Sequence, residues 1–282
     1  MVTDTELVEP LLALIRHAGQ EVLALYEQHR EETLPVHRKG DDTPVTAADR
    51  RSHEVLRDGL AALPMRWPIL SEEGHQADWS QRRAWRDFWL VDPVDGTREF
   101  INHTGEFCIC IALVRGGYPQ LGLIHAPVNG DTWIGGVEVS ARHVDATDNT
   151  RVLRVTARRE QPAVVVTSSG GAKREDVRRW TATLARNWPG GVETRELGSA
   201  LKFCHLAAGD AQAYPRFGAI GEWDSAAGQA ILEAAGGLVL NRKGQRLAYN
   251  RGKSLLHRHL VAVADPVILQ AAGFEPPAAA DS

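Results

Sequence analysis

The chain has 282 residues, 43% hydrophobic and 24% charged, an ordinary globular mixture with enough apolar material to bury a core without covalent staples. Lys and Arg number 32 against 36 Asp and Glu, for a formal net charge of −4 and a pI of about 6.3. That balance excludes the basic surface that duplex nucleic acid requires and leaves room for a local cationic pocket around a small anion.

Three cysteines, Cys108, Cys110 and Cys204, form no disulfide framework and fit a reducing cytoplasm. Cys108 and Cys110 stand two apart in the strand-like run FCICIALV and so point to one face. They read as buried small apolar residues in preference to a metal-binding pair. The acidic start MVTDTELVEP lacks the basic and apolar regions of a signal peptide. No apolar run approaches the roughly 18 residues that cross a bilayer.

Leu7, Leu11, Leu14, Ile15, Ala18, Val22 and Leu25 recur at helical spacing behind a Thr3/Glu6 capping box, which predicts a first helix over 4–29. The polar stretch HRKGDDTPVTAAD is a loop. Thr46 then caps a second helix that runs to Pro64, with Asp49 in its first turn. From 68 onward WPIL, DFWLV, FCICIALV, QLGLIHA and TWIGG read as strands, with Gly116-Gly117 as a hairpin turn. An antiparallel sheet covered by the two helices is the natural packing. AVVVTSS at 163–169 begins an α/β alternation: helix 172–188, strand 192–197, helix 199–209, strand 211–215, helix 224–235 and strand 237–240. The change of rhythm divides the chain into 1–160 and 161–282, and PPAAADS ends it as a frayed tail.

Three separated segments end apolar runs with acids: ILSEEG (Glu72, Glu73), WLVDPVDGTREF (Asp92, Asp95) and EWDSAAGQ (Asp224). Each has an ordinary reading as a turn or a helix cap. Asp92 resists it, because a strand as apolar as Phe88–Val91 delivers its first acid at the edge of the core. If Glu72, Asp92, Asp95 and Asp224 meet, each pair at about 4 Å repels by ~4 kcal/mol at an effective dielectric of 20. Protonation or cations must relieve this. The set holds neither His nor Cys, so hard Mg²⁺, with Mn²⁺ as a substitute, is favoured over Zn²⁺. Four carboxylates balance two Mg²⁺, and a bound phosphate calls for a third cation or for nearby Lys and Arg.

SEE, DPVDGT and WDSAAG, in this order and at these separations, resemble the signature of the inositol-monophosphatase superfamily over about 5–265. The resemblance implies a layered α-β-α-β-α fold of mixed α+β and α/β character. It implies that Glu72, Asp92, Asp95, Asp224 and the Val94 carbonyl bind two or three metal ions. It also implies that Asp95-Gly96-Thr97 opens a short helix whose N–H groups hold the scissile phosphate. Thr97 would hydrogen-bond the attacking water and Asp49 would orient Thr97. Asp49 has a compatible structural reading as a first-turn acid favoured by the helix dipole. Glu73 stands between support of the metal ligands and exposure.

KGDDTPVTAAD, DPVDGTREF, NHTGEFCICIAL and ELGSALKFCHLAAGDAQAYPRFG resemble the 3′(2′),5′-bisphosphate nucleotidases within that superfamily. Inositol monophosphatases usually carry a glutamate where Arg216 stands. A carboxylate suits polyol hydroxyls, whereas Arg grips an anion in a bidentate fork. Arg216, Lys202 and the Gly198-Ser199 segment are therefore candidates for a second phosphate, against a reading of Lys202 and Arg216 as surface charges. The implied reaction is adenosine 3′,5′-bisphosphate plus water giving AMP and phosphate, which removes a by-product of sulfur assimilation, with inhibition by Li⁺. Tyr214 and Phe217 are either stacking partners for adenine or core residues, with core favoured. The rivals are an inositol or sugar phosphatase of the same superfamily and a non-catalytic metal or phosphate sensor. The histidines show no ligand spacing with a partner acid. A monomer is favoured over a homodimer, and relatives of this type suggest a peripheral place on the inner membrane face.

Overall fold

The structure is a computed structural model and describes residues 3–31, 37–38, 44–45, 47–75, 77–157 and 159–274. The capping box forms as read: Thr3 N–H donates to Glu6 Oε2 at 2.7 Å and Glu6 N–H donates to Thr3 Oγ1 at 3.3 Å. It closes a tight turn over 4–7, and the regular helix α1 starts later than expected, at Val8–Glu31. Strands β1 (His37–Arg38) and β2 (Pro44–Val45) pair antiparallel. Thr46 lies outside the described residues; α2 spans Ala47–Ala62.

A seven-stranded sheet follows in chain order: β3 (Ile69–Ser71), β4 (Asp87–Asp95), β5 (Cys108–Arg115), β6 (Tyr118–Ala126), β7 (Asp131–Gly136), β8 (Arg142–Val144) and β9 (Thr150–Val152). It is antiparallel except where β3 runs parallel to β4. Short helices α3 (Trp79–Arg82) and α4 (Thr97–Ile101) flank β4. In the second half β10 (Ala163–Thr167), α5 (Glu175–Asn187), β11 (Val192–Glu196), α6 (Leu201–Ala207) and β12 (Ala213–Arg216) alternate as expected. They are followed by β13 (Ile220–Gly221), α7 (Trp223–Ala234), β14 (Leu238–Leu240), β15 (Leu256–His257), β16 (Leu260–Val263) and α8 (Pro266–Ala271). The second sheet has the order β11-β10-β12-β16-β14, parallel over its first three strands and antiparallel over the rest.

FCICIALV is apolar throughout because β5 is covered on both faces. Ile109, Ile111 and Leu113 join one cluster with Leu11 and Ile15 of α1 and Leu56 of α2. Cys108, Cys110, Ala112 and Val114 join the other, with Ala226, Ala227 and Ile231 of α7 and with Val164 and Ala262 of the second sheet. The outer face of the second sheet packs Val165, Val261 and Val263 against Trp180 and Leu184 of α5 and Ile268 of α8. The layers are therefore helices, seven strands, helices, five strands, helices, as the family resemblance implied. Among the described residues, no helix is long and apolar enough to cross a membrane.

The central helix α7 is buried from Ser225 to Leu232 because a sheet lies on either side of it. Its small residues let it sit against the first sheet: a Cβ on Gly122 would lie 2.4 Å from the Ala227 carbonyl oxygen. Gly122→Val should therefore destabilise the protein by about 1–3 kcal/mol, or more because the obstacle is backbone. The urea midpoint of the variant measures this, and an unchanged midpoint would mean that the helix is not held against β6.

Candidate active site

β4 carries the chemistry out of the core. Phe88, Trp89, Leu90 and Val91 are fully buried, and Asp92, at 1% exposure, is as buried as they are. Asp92 pairs with Cys110 across the sheet and Asp95 pairs with Cys108, with a register shift between them. β4 thus has one more residue than β5 over this interval, which is a β-bulge. Side chains in a regular strand alternate, so acids three apart would face opposite ways. The bulge restores the phase and turns both carboxylates to the side of Cys108 and Cys110. Asp92 Oδ1 accepts the Val94 N–H at 3.1 Å, and Ser52 Oγ of α2 donates to the Pro93 carbonyl at 2.7 Å.

The other acids arrive from neighbouring segments. Glu72 follows β3, whose Ser71 is level with Val91, and Glu72 N–H continues the ladder to the Val91 carbonyl at 3.2 Å. Asp224 enters from the first turn of α7, where Glu222, not Asp224, holds the N-cap position. Its Oδ2 accepts the Gly221 N–H at 3.0 Å. One carboxylate oxygen each of Glu72, Asp92 and Asp224 lies within 4.8 Å of the others. Asp95 stands beside them, with Oδ2 accepting the Ala200 N–H at 2.5 Å.

The electrostatics follow from burial and like charge. Burial, then Glu72, Asp95, Asp224 and Asp49, hold the Asp92 carboxyl well above the usual range. Burial, Asp95 and Glu72 do the same to Asp224. Asp95 is pushed up to about 6, by burial first, while Lys202 and the Ala200 N–H pull against the rise. The charges bearing most on Asp92 are all carboxylates, so the protein by itself leaves this negative charge uncompensated. A set of hard oxygen donors with unbalanced charge fits divalent cations such as Mg²⁺.

Asp49 is 2% exposed, one turn before Ser52 on the face of α2 that meets β4. Thr97 Oγ1 is 3.5 Å from the Val94 carbonyl that it faces. Gly96 takes φ 99°, and a Cβ there would meet the Glu106 carbonyl and Phe107 at 3.2 Å, so the turn into α4 needs glycine.

A cleft of 290 Å³ opens beside the acids, bounded by Asp95, Gly96, Asp224, Lys202, Arg216 and Ser168 among others. The surface reading of Lys202 fails: it is 4% exposed, its Nζ donates to the carbonyls of Leu197 and Ser199, and it lies 5.3 Å from the Tyr214 ring centre. Arg216 is half-buried and donates to Ser168 Oγ at 3.3 Å and the Ala219 carbonyl at 2.9 Å; its Nε has no partner. The Gly198 N–H donates to Glu106 Oε2 at 2.7 Å, and Ser199, at φ 46°, lines the cleft. Tyr214 is core and also borders the cleft, while Phe217 lies at a separate pocket with His259. Sequence reasoning missed Ser168, Ser169, Arg98 and Asn102, which also line the cleft. Ser168-Ser169 follow the carboxyl end of β10, where α/β sheets bind ligands, and that position was the available signal. The structure also sets His143 against Asp131, a pairing across strands that no sequence spacing shows.

A carboxyl whose folded pKa exceeds its unfolded value adds stability below the unfolded pKa and loses it as pH rises through the folded one. For Asp95 the window runs from 3.8 to about 6. Without divalent cations, Asp95→Asn should therefore gain thermal stability relative to the parent as pH rises through this window. With saturating Mg²⁺ the order should reverse. A Tm difference that stays flat with pH would contradict the placement of Asp95 among these acids.

The inositol monophosphatase family model matches residues 4–273. The 3′(2′),5′-bisphosphate nucleotidase CysQ of Escherichia coli K12 is 38% identical over 253 residues, covering 89% of this chain and 97% of the relative. The CysQ of Salmonella typhimurium is 37% identical over 259 residues, with the same coverage. The crystal structure of CysQ from Bacteroides thetaiotaomicron superposes with a TM-score of 0.77 at 31% identity, covering 91% of this chain and 97% of that one. An inositol monophosphatase from Anabaena shares the fold, with a TM-score of 0.69 at 22% identity and 98% coverage of both chains. With its acids assembled around a bulged strand and its sequence aligned nearly end to end with these relatives, the chain belongs to the inositol monophosphatase family.

Proposed function

We propose that this protein is a Mg²⁺-dependent phosphomonoesterase that hydrolyses the 3′-phosphate of adenosine 3′,5′-bisphosphate to AMP and phosphate. The observation that carries the reading is one cleft that brings Lys202 and Arg216 together with Asp95 and Asp224, the latter clustered with Glu72 and Asp92. The similarity to bisphosphate nucleotidases over most of the chain supports the choice of substrate.

Family membership makes the catalysis metal-dependent, and the oxygen-only donor set favours two or three Mg²⁺, with Mn²⁺ as a substitute. Glu72, Asp92, Asp95, Asp224 and the Val94 carbonyl hold these ions. When bound, such ions acidify water and neutralise the charge that builds on the phosphoryl and leaving oxygens. The turn at Asp95, Gly96 and Thr97 holds the phosphate beside the acids. The Thr97 hydroxyl orients the attacking water, and Asp49, buried behind β4, takes up its proton. Arg216 and Ser168, with Ser199 and Lys202, line the part of the cleft that receives the second phosphate, while the Gly198 N–H is held by Glu106. A planar guanidinium with an unpartnered Nε suits an anion in a way that a polyol hydroxyl does not match.

The direct test is phosphate release from adenosine 3′,5′-bisphosphate, inositol 1-phosphate and fructose 1,6-bisphosphate, with and without Mg²⁺. The expected result is Mg²⁺-dependent release that is fastest from the nucleotide. Preference for inositol 1-phosphate would assign the site to polyol substrates, and no release from any of them would leave a binding protein.

Arg216→Glu should cost the bisphosphate about 10–100-fold in kcat/KM, the range of one charge-assisted hydrogen-bond set, and leave a nucleoside 3′-monophosphate far less affected. Equal losses on both substrates would remove Arg216 from the second-phosphate subsite.

A further inference from the structure

The bulge that brings Asp92 and Asp95 together also sets Asp95 over the two cysteines of β5. Cys108 is the cross-strand partner of Asp95, and Cys110 lies two residues on, pointing to the same face. Their Sγ atoms are 3.9 Å apart, and one carboxylate oxygen of Asp95 lies within 4.8 Å of both. Two thiolates bound to one Zn²⁺ at ~2.3 Å in tetrahedral geometry stand ~3.8 Å apart. The thiols are thus already at the separation that a shared ion requires. A disulfide fits less well: residues i and i+2 of an extended strand have Cα atoms about 6.8 Å apart, the upper limit for a bridge.

We propose that Cys108, Cys110 and Asp95 form a second cation site, selective for a thiophilic ion such as Zn²⁺, through which that ion shuts off the hard-cation centre. The inhibitory consequence rests on Asp95 serving the phosphatase reaction, as proposed above. The binding itself does not.

Three features support the site. Both cysteines are free and buried, at 0% and 1% exposure, so they are shielded from bulk oxidants. Asp95, the proposed oxygen ligand, borders the cleft. The donor set, two sulfurs and one oxygen, is the opposite in softness of the adjacent all-oxygen set of Glu72, Asp92 and Asp224, so the two sites sort cations by chemistry. On binding, each S–H bond breaks as a metal–sulfur bond forms, and two protons leave to solvent. Asp95 is then drawn toward the thiophilic ion and lost to the hard one.

Co²⁺, which takes up Zn²⁺ sites and reports on its ligands, is the probe. Added to the full-length protein in the presence of Mg²⁺, it should give a near-ultraviolet thiolate-to-cobalt charge-transfer band that saturates at one equivalent and is abolished by Zn²⁺. Cys110→Ala and Cys108→Ala should each remove the band. In both variants the Zn²⁺ concentration that halves Mg²⁺-supported phosphate release should rise by more than about tenfold, while turnover without Zn²⁺ stays near that of the parent. The spectrum of the parent protein needs no variant to fold and no activity. A band without phosphatase activity would keep the site and overturn the functional reading. Activity without a band, or Zn²⁺ inhibition unchanged in both variants, would overturn the site.

Discussion

Between Asp92 and Asp95, β4 takes three residue steps where β5 takes two. With a regular register one of these acids would point into the layer beneath α1 and α2, among Val91, Val94 and Ile111. An unpaired carboxylate there would cost several kcal/mol. The intervening residues are suited to the irregularity. Pro93 has no N–H to leave unpaired, which is why proline is tolerated at bulges. Its carbonyl is taken by Ser52, and the Val94 N–H is taken by the Asp92 carboxylate itself. The motif DPVDG is thus a backbone device first, and its charges are useful only because the backbone aims them together.

Aiming like charges at one another has a structural cost, and the rest of the fold offsets it. A pair of carboxylates at about 4 Å repels by ~4 kcal/mol even at an effective dielectric of 20, more than most single contacts contribute. The acids come from three segments, so rigid attachment of each is needed to stop them from drifting apart. Asp224 is held through α7, clamped between both sheets. Just before it, Glu222 Oε2 accepts the Asn250 N–H at 2.7 Å, and Asn250 Oδ1 accepts from Arg82 Nη1 at 2.6 Å. Arg82 also reaches the carbonyls of Ala77 and Lys253. This buried network ties the start of α7 to α3 and to the loop after β14. Glu222 is itself pushed up to about 7 by burial, so the network sits close to a change of protonation and depends on Arg82 for its charge balance.

Much of this was legible in the sequence where a periodic pattern has one physical cause. The apolar positions of α1 repeat at helical spacing, and the unbroken run of β5 declares a strand buried on both faces. Patterns with no local signature were not legible. The bulge is invisible to residue counting, because acids three apart in a strand read as facing opposite ways; the convergence of Asp92 and Asp95 came from the resemblance of three linked motifs. The helix carrying Asp224 was readable, but its position between two sheets was hinted at only by the small residues Ala226, Ala227 and Gly228. Short strands such as β8 and β9 carry little apolar signal, since β9 is exposed along its length. Gly198 illustrates the opposite error: a glycine before a helix reads as an anion cradle, yet its N–H is engaged by Glu106 and its missing Cβ makes room for Glu99 and Glu106.

Lys202 connects the two halves of the cleft. Its Nζ donates to the carbonyl oxygens of Leu197 and Ser199, neither of which carries a countercharge. The Lys202 charge reaches Asp95 strongly enough to oppose the rise caused by burial. On the same wall Arg216 keeps an unpartnered Nε above the second sheet. The cleft therefore has an anionic side, built on β4 and α7, and a cationic side, built on α6 and β12. A hydroxylated ligand without charge would leave the cationic side unmatched, and unmatched buried donors penalise binding more than a missing apolar contact does. Under the function proposed above, a ligand with one phosphate on the acids and another within reach of Arg216 would match both sides, the first through the cations that the acids would hold and the second directly. On that proposal the selectivity of the site would reside in the sign of charge on its two walls as much as in its shape.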